Sequence, residues 1–318
     1  MLKGIRYVPL TANQLKAIQL QQQTGDKQNT LKDQMKHLLK TERESSGVFY
    51  VQTAKSVKKR SAADGSEDEE FIEPAAKKLD SKASKSLYGQ HCSMCLSDAS
   101  SQATRKFVIA IGLRLYLAVP KDAPLVPGEC LLVPAEHYDA VRSLDDDSLD
   151  ELMIWKRRLV RMFESKGQTP LFMELVTGTY RSGGPRHCFV SCIPIPKDSS
   201  VDAPVYFKKA MIDAAAEWSR KEGVLDTHWK TKPLSSVIPK GFPYFHVEFG
   251  LEGGFVQVLE EDARLDWNFG KEVICAILDQ PAQFLLRKKK SEEQDAQRQR
   301  IVSFLKDFDP YDWTKNLD

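Results

Sequence analysis

The sequence contains no apolar run near the about 20 residues that a membrane span requires, and its first seven residues lack the apolar stretch of a secretory signal. We therefore expect a soluble intracellular protein without a membrane partner. The formal net charge is only +2, so overall charge gives little support for nucleic-acid binding, and a basic surface would have to come from local clusters. No internal repeat is evident.

Cysteine is scarce, with six residues in 318, but two of them have a telling spacing. Cys92 and Cys95 form a C-x-x-C pair, which in a reducing compartment points to metal or redox chemistry rather than to disulfides. No thioredoxin-like βαβ pattern surrounds the pair, which disfavours redox chemistry. The other four lie in apolar segments and are predicted to be small buried hydrophobic residues: Cys130, Cys188, Cys192 and Cys275.

The first 87 residues are more polar than the rest and divide into two predicted segments. Residues 1–54 carry a thin apolar stripe at helical spacing, which fits either a partner-binding helical arm or a mostly disordered arm. Residues 55–87 lack a hydrophobic period and are predicted to be a disordered charged linker. Its two basic clusters flank an acidic stretch, which fits either a bipartite nuclear import signal or a solvated charge run.

From residue 88 onward the pattern predicts a folded α+β protein in two units, residues 88–196 and the smaller 197–318. A helix is predicted from an acidic cap at Asp145 to a stop at Gly167. Phe308 to Trp313 are expected to form a packed terminal clasp. The remaining predicted helices span residues 205–221, 269–278 and 291–304. The predicted strands span residues 107–111, 114–119, 130–133, 171–176, 187–195, 244–249 and 255–259.

The C-x-x-C pair supplies two of the four donors that a tetrahedral zinc site needs. His137, which follows a predicted strand, and His187, which opens another, are the best candidates for the other two. His91 is an alternative ligand, although adjacent residues rarely reach one ion. From spacing alone, zinc and a pair of ordinary turn cysteines remain equally open.

Several motifs in order resemble the histidine-triad superfamily and, more narrowly, the CwfJ family of splicing factors, over about residues 88–313. After the C-x-x-C pair, these motifs lie at residues 124–137, 187–194, 241–249, 266–273 and 308–313. The resemblance implies a histidine-triad-like antiparallel sheet with helices in 88–196 (C-terminal domain 1 of the family), followed by C-terminal domain 2 in 197–318. It also favours structural zinc bound by Cys92, Cys95, His137 and His187.

The resemblance implies a degenerate catalytic pattern. Active histidine-triad enzymes carry His-x-His-x-His, whose middle histidine attacks a nucleotide phosphate. Alignment on Ile193-Pro194 places His187, Phe189 and Ser191 at these positions. Phenylalanine has no nucleophilic atom and Ser191 has no local base, while Glu129 stands where the family usually has histidine. We therefore expect a protein that is not an enzyme.

Two further sets of residues are candidates for function. His246 lies in a predicted strand, either as part of a site or as a hydrogen-bonded structural histidine. Arg181 and Arg186 lie in a glycine-containing loop before the triad strand and, with Lys208 and Lys209, are predicted to contact RNA phosphate. The basic run at residues 287–290 could extend this surface.

The resemblance implies a nuclear, non-catalytic pre-mRNA splicing factor of the late, intron-lariat spliceosome. Its expected partners are spliceosome proteins and the intron lariat or small nuclear RNA, with the lariat-debranching enzyme as a further candidate. Its expected role is to assist lariat release or debranching. The alternative is a nucleotide hydrolase or transferase of the histidine-triad type with an atypical nucleophile.

Overall fold

The computed structural model describes residues 92–96, 102–177, 187–218, 223–259, 265–281 and 294–317. The predicted arm at 1–54, the linker at 55–87, the loop with Arg181 and Arg186, and the basic run at 287–290 lie outside the described residues. No helix of the described part is long and apolar enough to cross a membrane.

The described chain contains eight strands and seven α-helices, with short 3-10 turns between some of them. The strands are β1 Val108–Ile111, β2 Leu115–Ala118, β3 Cys130–Pro134, β4 Gln168–Val176, β5 Val190–Pro196, β6 Leu225–Thr227, β7 Tyr244–Phe249 and β8 Gly254–Val258. The helices are α1 Gln102–Arg105, α2 Asp146–Glu164, α3 Lys197–Ser200, α4 Ala203–Trp218, α5 Leu234–Val237, α6 Phe269–Ile277 and α7 Gln294–Phe308.

All eight strands form one sheet in the order β1-β2-β3-β5-β4-β7-β8-β6, and every neighbouring pair is antiparallel. The expectation of an α+β protein with an antiparallel sheet is confirmed. The strands of the two predicted units meet where β4 pairs with β7. This pairing runs from Leu171 opposite Phe249 to Val176 opposite Tyr244. The two units suggested by the sequence therefore contribute to one continuous sheet.

Helix α2 covers one face of the sheet. The Asp145 carboxylate caps it by accepting a hydrogen bond from the Ser148 amide at 2.8 Å, as the acidic start of this segment predicts. Its buried side chains, which include Trp155 and Phe163, pack against inward-facing residues of β2, β3 and β5. Burial of this apolar face is the main reason the helix is stable in this position.

Helices α4 and α6 cover the opposite face at the β4–β7 end. Phe207 and Met211 of α4 and Ile274 of α6 are fully buried against Leu171 and Val247. Alternation along β4 explains the two faces, because Leu171 and its second neighbours point to α4 while Phe172 points to α2. The sheet is thus buried on both sides.

The carboxyl end of the chain returns to α2, which confirms the predicted clasp. Phe308 at the end of α7 stacks on Trp155 at 6.0 Å, and Trp313 meets the same ring edge-on at 5.2 Å. Both side chains are at most 2% exposed. The final segment of the second unit is therefore part of the core around the first unit's helix.

One departure from the predicted elements is at His187, because the strand predicted to begin there begins three residues later. Residues 187–189 lie outside the ladder, and β5 starts at Val190. The Cys188 amide donates to the Tyr138 carbonyl at 2.7 Å instead of to a strand partner. The last helix also continues to Phe308, four residues past its predicted end. Strand β6 was not predicted, because three residues give too short a pattern to recognise.

Candidate metal centre and the adjacent sheet face

Four side chains from three separate segments meet at the β1–β3 end of the sheet. The Sγ atoms of Cys92 and Cys95 and one ring nitrogen each of His137 and His187 lie within 4.8 Å of one another. They come from the C-x-x-C turn, from the loop after β3 and from the residues before β5. The structure thus assembles the four residues that the sequence singled out, and this group could hold a metal ion.

The spacing within the group fits a tetrahedral ion. Zn–S bonds of about 2.3 Å and Zn–N bonds of about 2.0–2.1 Å at a tetrahedral angle leave sulfur and nitrogen about 3.5 Å apart. The Nδ1 atom of His187 lies 3.4 Å from each of the two sulfurs, Cys92 Sγ and Cys95 Sγ. His137 Nδ1 lies 3.6 Å from Cys95 Sγ. Two thiolates and two imidazoles are a donor set that zinc favours.

The orientation of His187 is fixed by a contact behind the group. Its Nε2 lies 2.9 Å from the Pro134 carbonyl oxygen. A carbonyl oxygen only accepts, so Nε2 carries the proton and Nδ1 presents its lone pair to the two sulfurs. His187 is also 6% exposed, which leaves its ring little freedom to turn elsewhere.

Three hydrogen bonds tie the C-x-x-C turn to β2, to the residue after β3 and to helix α1. The Leu96 amide donates to the Ala135 carbonyl at 3.1 Å, and the Tyr116 hydroxyl donates to the Met94 carbonyl at 2.7 Å. Arg105 reaches the Leu96 carbonyl at 2.6 Å. Leu96 is buried in a small apolar cluster with Tyr116 and other residues of β1–β3. These contacts place both cysteines at a defined distance from His187.

The surroundings of Cys92 favour the thiolate, which is the form that binds metals. A hydrogen bond with Cys95 is the main cause that lowers the pKa of Cys92, and hydrogen bonds with His137 and His187 add to it, although burial acts in the opposite direction.

The three residues that the sequence predicts at degenerate triad positions do not meet at one point. His187 faces the cysteines, whereas Phe189 and Ser191 line a cavity of about 340 Å³ next to α6, which we call the triad-face cavity. Phe189 is partly buried and packs against the apolar cluster beneath the C-x-x-C turn. Among the described residues, no histidine lines this cavity. Phe189 therefore lies between the cysteine turn and the cavity, and its assignment to the place of a catalytic histidine stays a prediction.

The triad-face cavity contains an ion pair that the sequence did not reveal. Glu129 is 2% exposed, accepts from the Leu125 amide at 2.6 Å, and pairs with Lys271 of α6. The two residues are 142 positions apart, so no local pattern could signal the pair. Trp267, which is 42% exposed, also lines the cavity, and the Asp-Trp-Asn-Phe motif around it was the available signal.

His246 lies on the other face of the sheet, in a second cavity of about 260 Å³ under α2, which we call the α2-side cavity. It is hydrogen-bonded to Thr227 Oγ1 at 3.1 Å. Burial lowers the pKa of His246 to about 4, so the ring is neutral at pH 7. Its neighbour Phe245 faces the triad-face cavity, so the alternation of β7 keeps His246 away from Phe189 and Ser191.

Lys208 and Lys209 are exposed on α4. Lys208 Nζ lies 3.8 Å from Asp226 and over the Phe255 ring at 5.3 Å, so part of its charge is compensated. The role of both lysines, like that of Arg181 and Arg186, stays a prediction.

Comparison with known families gives two adjacent matches. Residues 79–208 match the family described as "Protein similar to CwfJ C-terminal", and residues 217–314 match "Protein similar to CwfJ C-terminus 2". The boundary between the matches lies within α4, whereas the sheet runs through both matched regions.

Three relatives illustrate the similarity. CWF19-like protein 2 of Homo sapiens is 37% identical over 227 residues, covering 71% of this chain and 24% of that protein. CWF19-like protein 2 homolog of Caenorhabditis elegans is 33% identical, over 71% of this chain and 47% of that protein. Pre-mRNA-splicing factor cwf19 of Schizosaccharomyces pombe is 29% identical, over 71% of this chain and 35% of that protein. The chain thus spans between about a quarter and a half of these relatives. Through both matched regions, it belongs to the CwfJ (Cwf19-like) family.

Proposed function

We propose that this chain is a non-catalytic, RNA-binding component of the spliceosome that acts in the nucleus at the intron-lariat stage and assists lariat release or debranching. The Schizosaccharomyces pombe relative is named as a pre-mRNA-splicing factor, which supports a role in pre-mRNA splicing. Spliceosome proteins, the intron lariat or small nuclear RNA, and the lariat-debranching enzyme are the partners we propose.

The proposal that the protein is not an enzyme rests on the orientation of His187. It is the one histidine at a triad position, and its Nδ1 lies 3.4 Å from both cysteine sulfurs rather than in the triad-face cavity. A nucleophile also needs an adjacent base, and Ser191 faces a cavity that no described histidine lines. This argues against nucleotide transfer through a covalent histidine intermediate.

The four-residue group is proposed to hold a structural zinc ion through Cys92, Cys95, His137 and His187. When bound, zinc would close three chain segments into one unit and contribute folding free energy directly. The test is elemental analysis of the purified protein, with about one zinc per chain expected. Cys95→Ser and His187→Ala should lose the metal, whereas Cys275→Ser, a buried cysteine of α6, should keep it. A folded wild-type protein without metal would contradict the proposal.

RNA contact is proposed for Arg181, Arg186, Lys208 and Lys209. Single-stranded RNA binding should weaken in the double variants Arg181→Ala/Arg186→Ala and Lys208→Ala/Lys209→Ala. Each lost phosphate contact should also reduce the slope of log affinity against log salt by about 0.7. Fluorescence anisotropy at several salt concentrations measures both effects. Lys315→Ala, whose ammonium pairs with Asp309 at the carboxyl end, is the matched control. Wild-type slopes in both double variants would refute the proposed contacts.

The alternative, a histidine-triad-type hydrolase or transferase, predicts turnover of nucleotide phosphoramidates or dinucleoside polyphosphates. We expect no turnover by the zinc-loaded protein. Turnover that disappears on Ser191→Ala would revive the alternative. Turnover that instead disappears in the His246→Ala variant would place the reaction on the opposite face of the sheet.

A further inference from the structure

The α2-side cavity is separate from the metal centre and from the triad-face cavity. Its floor is formed by alternate residues of β4 and β7, including Phe172, Glu174 and Glu248, and its roof by α2. Phe189 and Ser191 lie across the sheet. The volume of about 260 Å³ is large enough for one planar heterocycle with part of a sugar.

An ion pair lies inside this cavity, which Glu174 and His246 also line. Lys156 of α2 is 6% exposed and pairs with Glu248 of β7, while its ammonium also lies over the Phe172 ring at 5.3 Å. Withdrawing two charges from water is costly, and a buried ion pair is often replaceable by apolar residues without loss of stability. Stability alone therefore does not account for a charged pair at this position.

Both members of the pair have bonding capacity left for a ligand. Lys156 contacts Glu248 through one oxygen, Oε2. Within the described part of the chain, no group donates a hydrogen bond to Oε1 of Glu248. In the same part of the chain, the Lys156 ammonium donates a hydrogen bond to Glu248 and to no other residue. An ammonium has three protons and a carboxylate has two acceptor oxygens, so the pair presents a donor and an acceptor side by side.

The mouth of the cavity has planar and basic groups. Trp229 lies there with His228 stacked at 6.3 Å and the Arg157 guanidinium 5.4 Å over its ring. Tryptophan rings and guanidinium planes stack on nucleobases, and arginine is attracted to phosphate. Arg142, a second cation of the rim, is held by the Ile238 and Ser235 carbonyls.

We propose that the α2-side cavity binds a guanine base, with the carboxylate of Glu248 accepting from its N1–H and 2-amino groups and Lys156 donating to O6. Guanine matches this pair because its Watson–Crick edge offers two neighbouring donors followed by an acceptor. Adenine offers only one donor beside an acceptor, so it can satisfy Lys156 and one oxygen of Glu248 but leaves the second carboxylate oxygen without a donor. The Trp229 ring and the Arg157 guanidinium that lies over it are the planar groups at the mouth that would stack on the base.

The base can belong to a free nucleotide or to single-stranded RNA, and the test separates the two. Isothermal titration of the purified chain would use GMP, IMP and AMP, together with short RNAs that differ by a single G or A. IMP lacks the 2-amino group, so its binding should be about tenfold or more weaker than that of GMP. Binding of the G-containing RNA without binding of GMP would identify RNA as the source of the base. This inference does not depend on the proposed phosphate-binding residues.

Two variants test whether the guanine ligand binds in the α2-side cavity. Glu248→Gln should abolish the preference for GMP over IMP, and Trp229→Ala should weaken binding about fivefold or more. Trp229→Ala changes a partly exposed residue and keeps the proposal testable if Glu248→Gln does not fold. Phe189→Ala, across the sheet, is the matched control and should bind like wild type.

Three results would overturn the proposal. The first is no binding of GMP or of G-containing RNA at millimolar concentration. The second is equal affinity for guanine and adenine ligands. The third is a wild-type affinity in Trp229→Ala combined with a loss in Phe189→Ala, which would assign the binding to the triad-face cavity instead.

Discussion

Glu174 is a carboxylate that the fold buries almost completely, at 4% exposure, beneath the loop that follows His137. Its two oxygens accept from the Val141 amide and the Tyr244 hydroxyl, each at 2.7 Å. Burial raises the pKa of Glu174 to about 7, and the two hydrogen bonds only partly oppose this effect.

The raised pKa predicts a pH-dependent stability. The native state holds the Glu174 proton more tightly than the unfolded state, so this stabilisation is complete below about pH 4.5 and is lost as the pH rises through about 7. Glu174→Gln cannot titrate. The unfolding free energy of wild type relative to Glu174→Gln should therefore fall by about 2 kcal/mol between about pH 5 and about pH 8. Urea unfolding at both pH values measures the difference, and parallel pH profiles would contradict it.

At the scale of the element, α2 is held from two sides, by the sheet and by the carboxyl end of the chain. Trp313 is 2% exposed and lies edge-on to Trp155. Its indole N–H is buried and has no hydrogen-bond partner within the described residues, so the ring contributes through its apolar area and not through a polar contact.

Shortening this side chain should destabilise the protein strongly. Trp313→Ala leaves a cavity against α2 and is expected to cost about 3–5 kcal/mol of unfolding free energy. Trp313→Phe keeps an aromatic ring and removes the buried N–H, so its loss should be much smaller. Chemical denaturation of the two variants gives the comparison. Equal losses would mean that the terminal clasp does not depend on ring packing.

Elements with a strong local signal were predictable from the sequence. The acidic cap and the three-to-four spacing of apolar residues locate α2, and alternation locates β7 at its observed bounds. The start of β5 was predicted wrongly, because the diversion of His187 toward the cysteines depends on contacts between distant segments. For the same reason the pairs Glu129–Lys271 and Lys156–Glu248 were missed, since each depends on sheet register.

The candidate metal ligands are a partial exception, because part of this group could be predicted from the sequence. Cys92 and Cys95 carry a recognisable spacing, but His137 and His187 were singled out by their positions beside strands and by the family resemblance. The structure brings all four together, which distance along the chain alone would not have established.

At the scale of the whole molecule, the candidate metal centre lies at one end of the sheet. Its supporting cluster consists of β1–β3 residues such as Tyr116 and Val133, whereas the β4–β7 centre is buried under α2, α4 and α6. The two ends therefore need not lose structure together when the metal is removed.

We expect chelation of bound zinc to loosen the β1–β3 end first. Hydrogen exchange followed by mass spectrometry should show a large loss of protection in peptides covering 107–119 and 130–137. Peptides covering β7 and β8 should keep most of their protection. A uniform loss across the sheet would show instead that the metal supports the entire fold.

The pairing of β4 with β7 has a consequence for shortened forms of this protein. A translation product that stopped soon after Pro196 would retain β4 but lack its neighbour, exposing the backbone of six paired residues from Leu171 to Val176. It would also uncover the apolar face that α4 and α6 bury. An open, hydrophobic edge of this kind recruits further chains into aggregates. We therefore expect such a product to be insoluble rather than to compete with the intact protein.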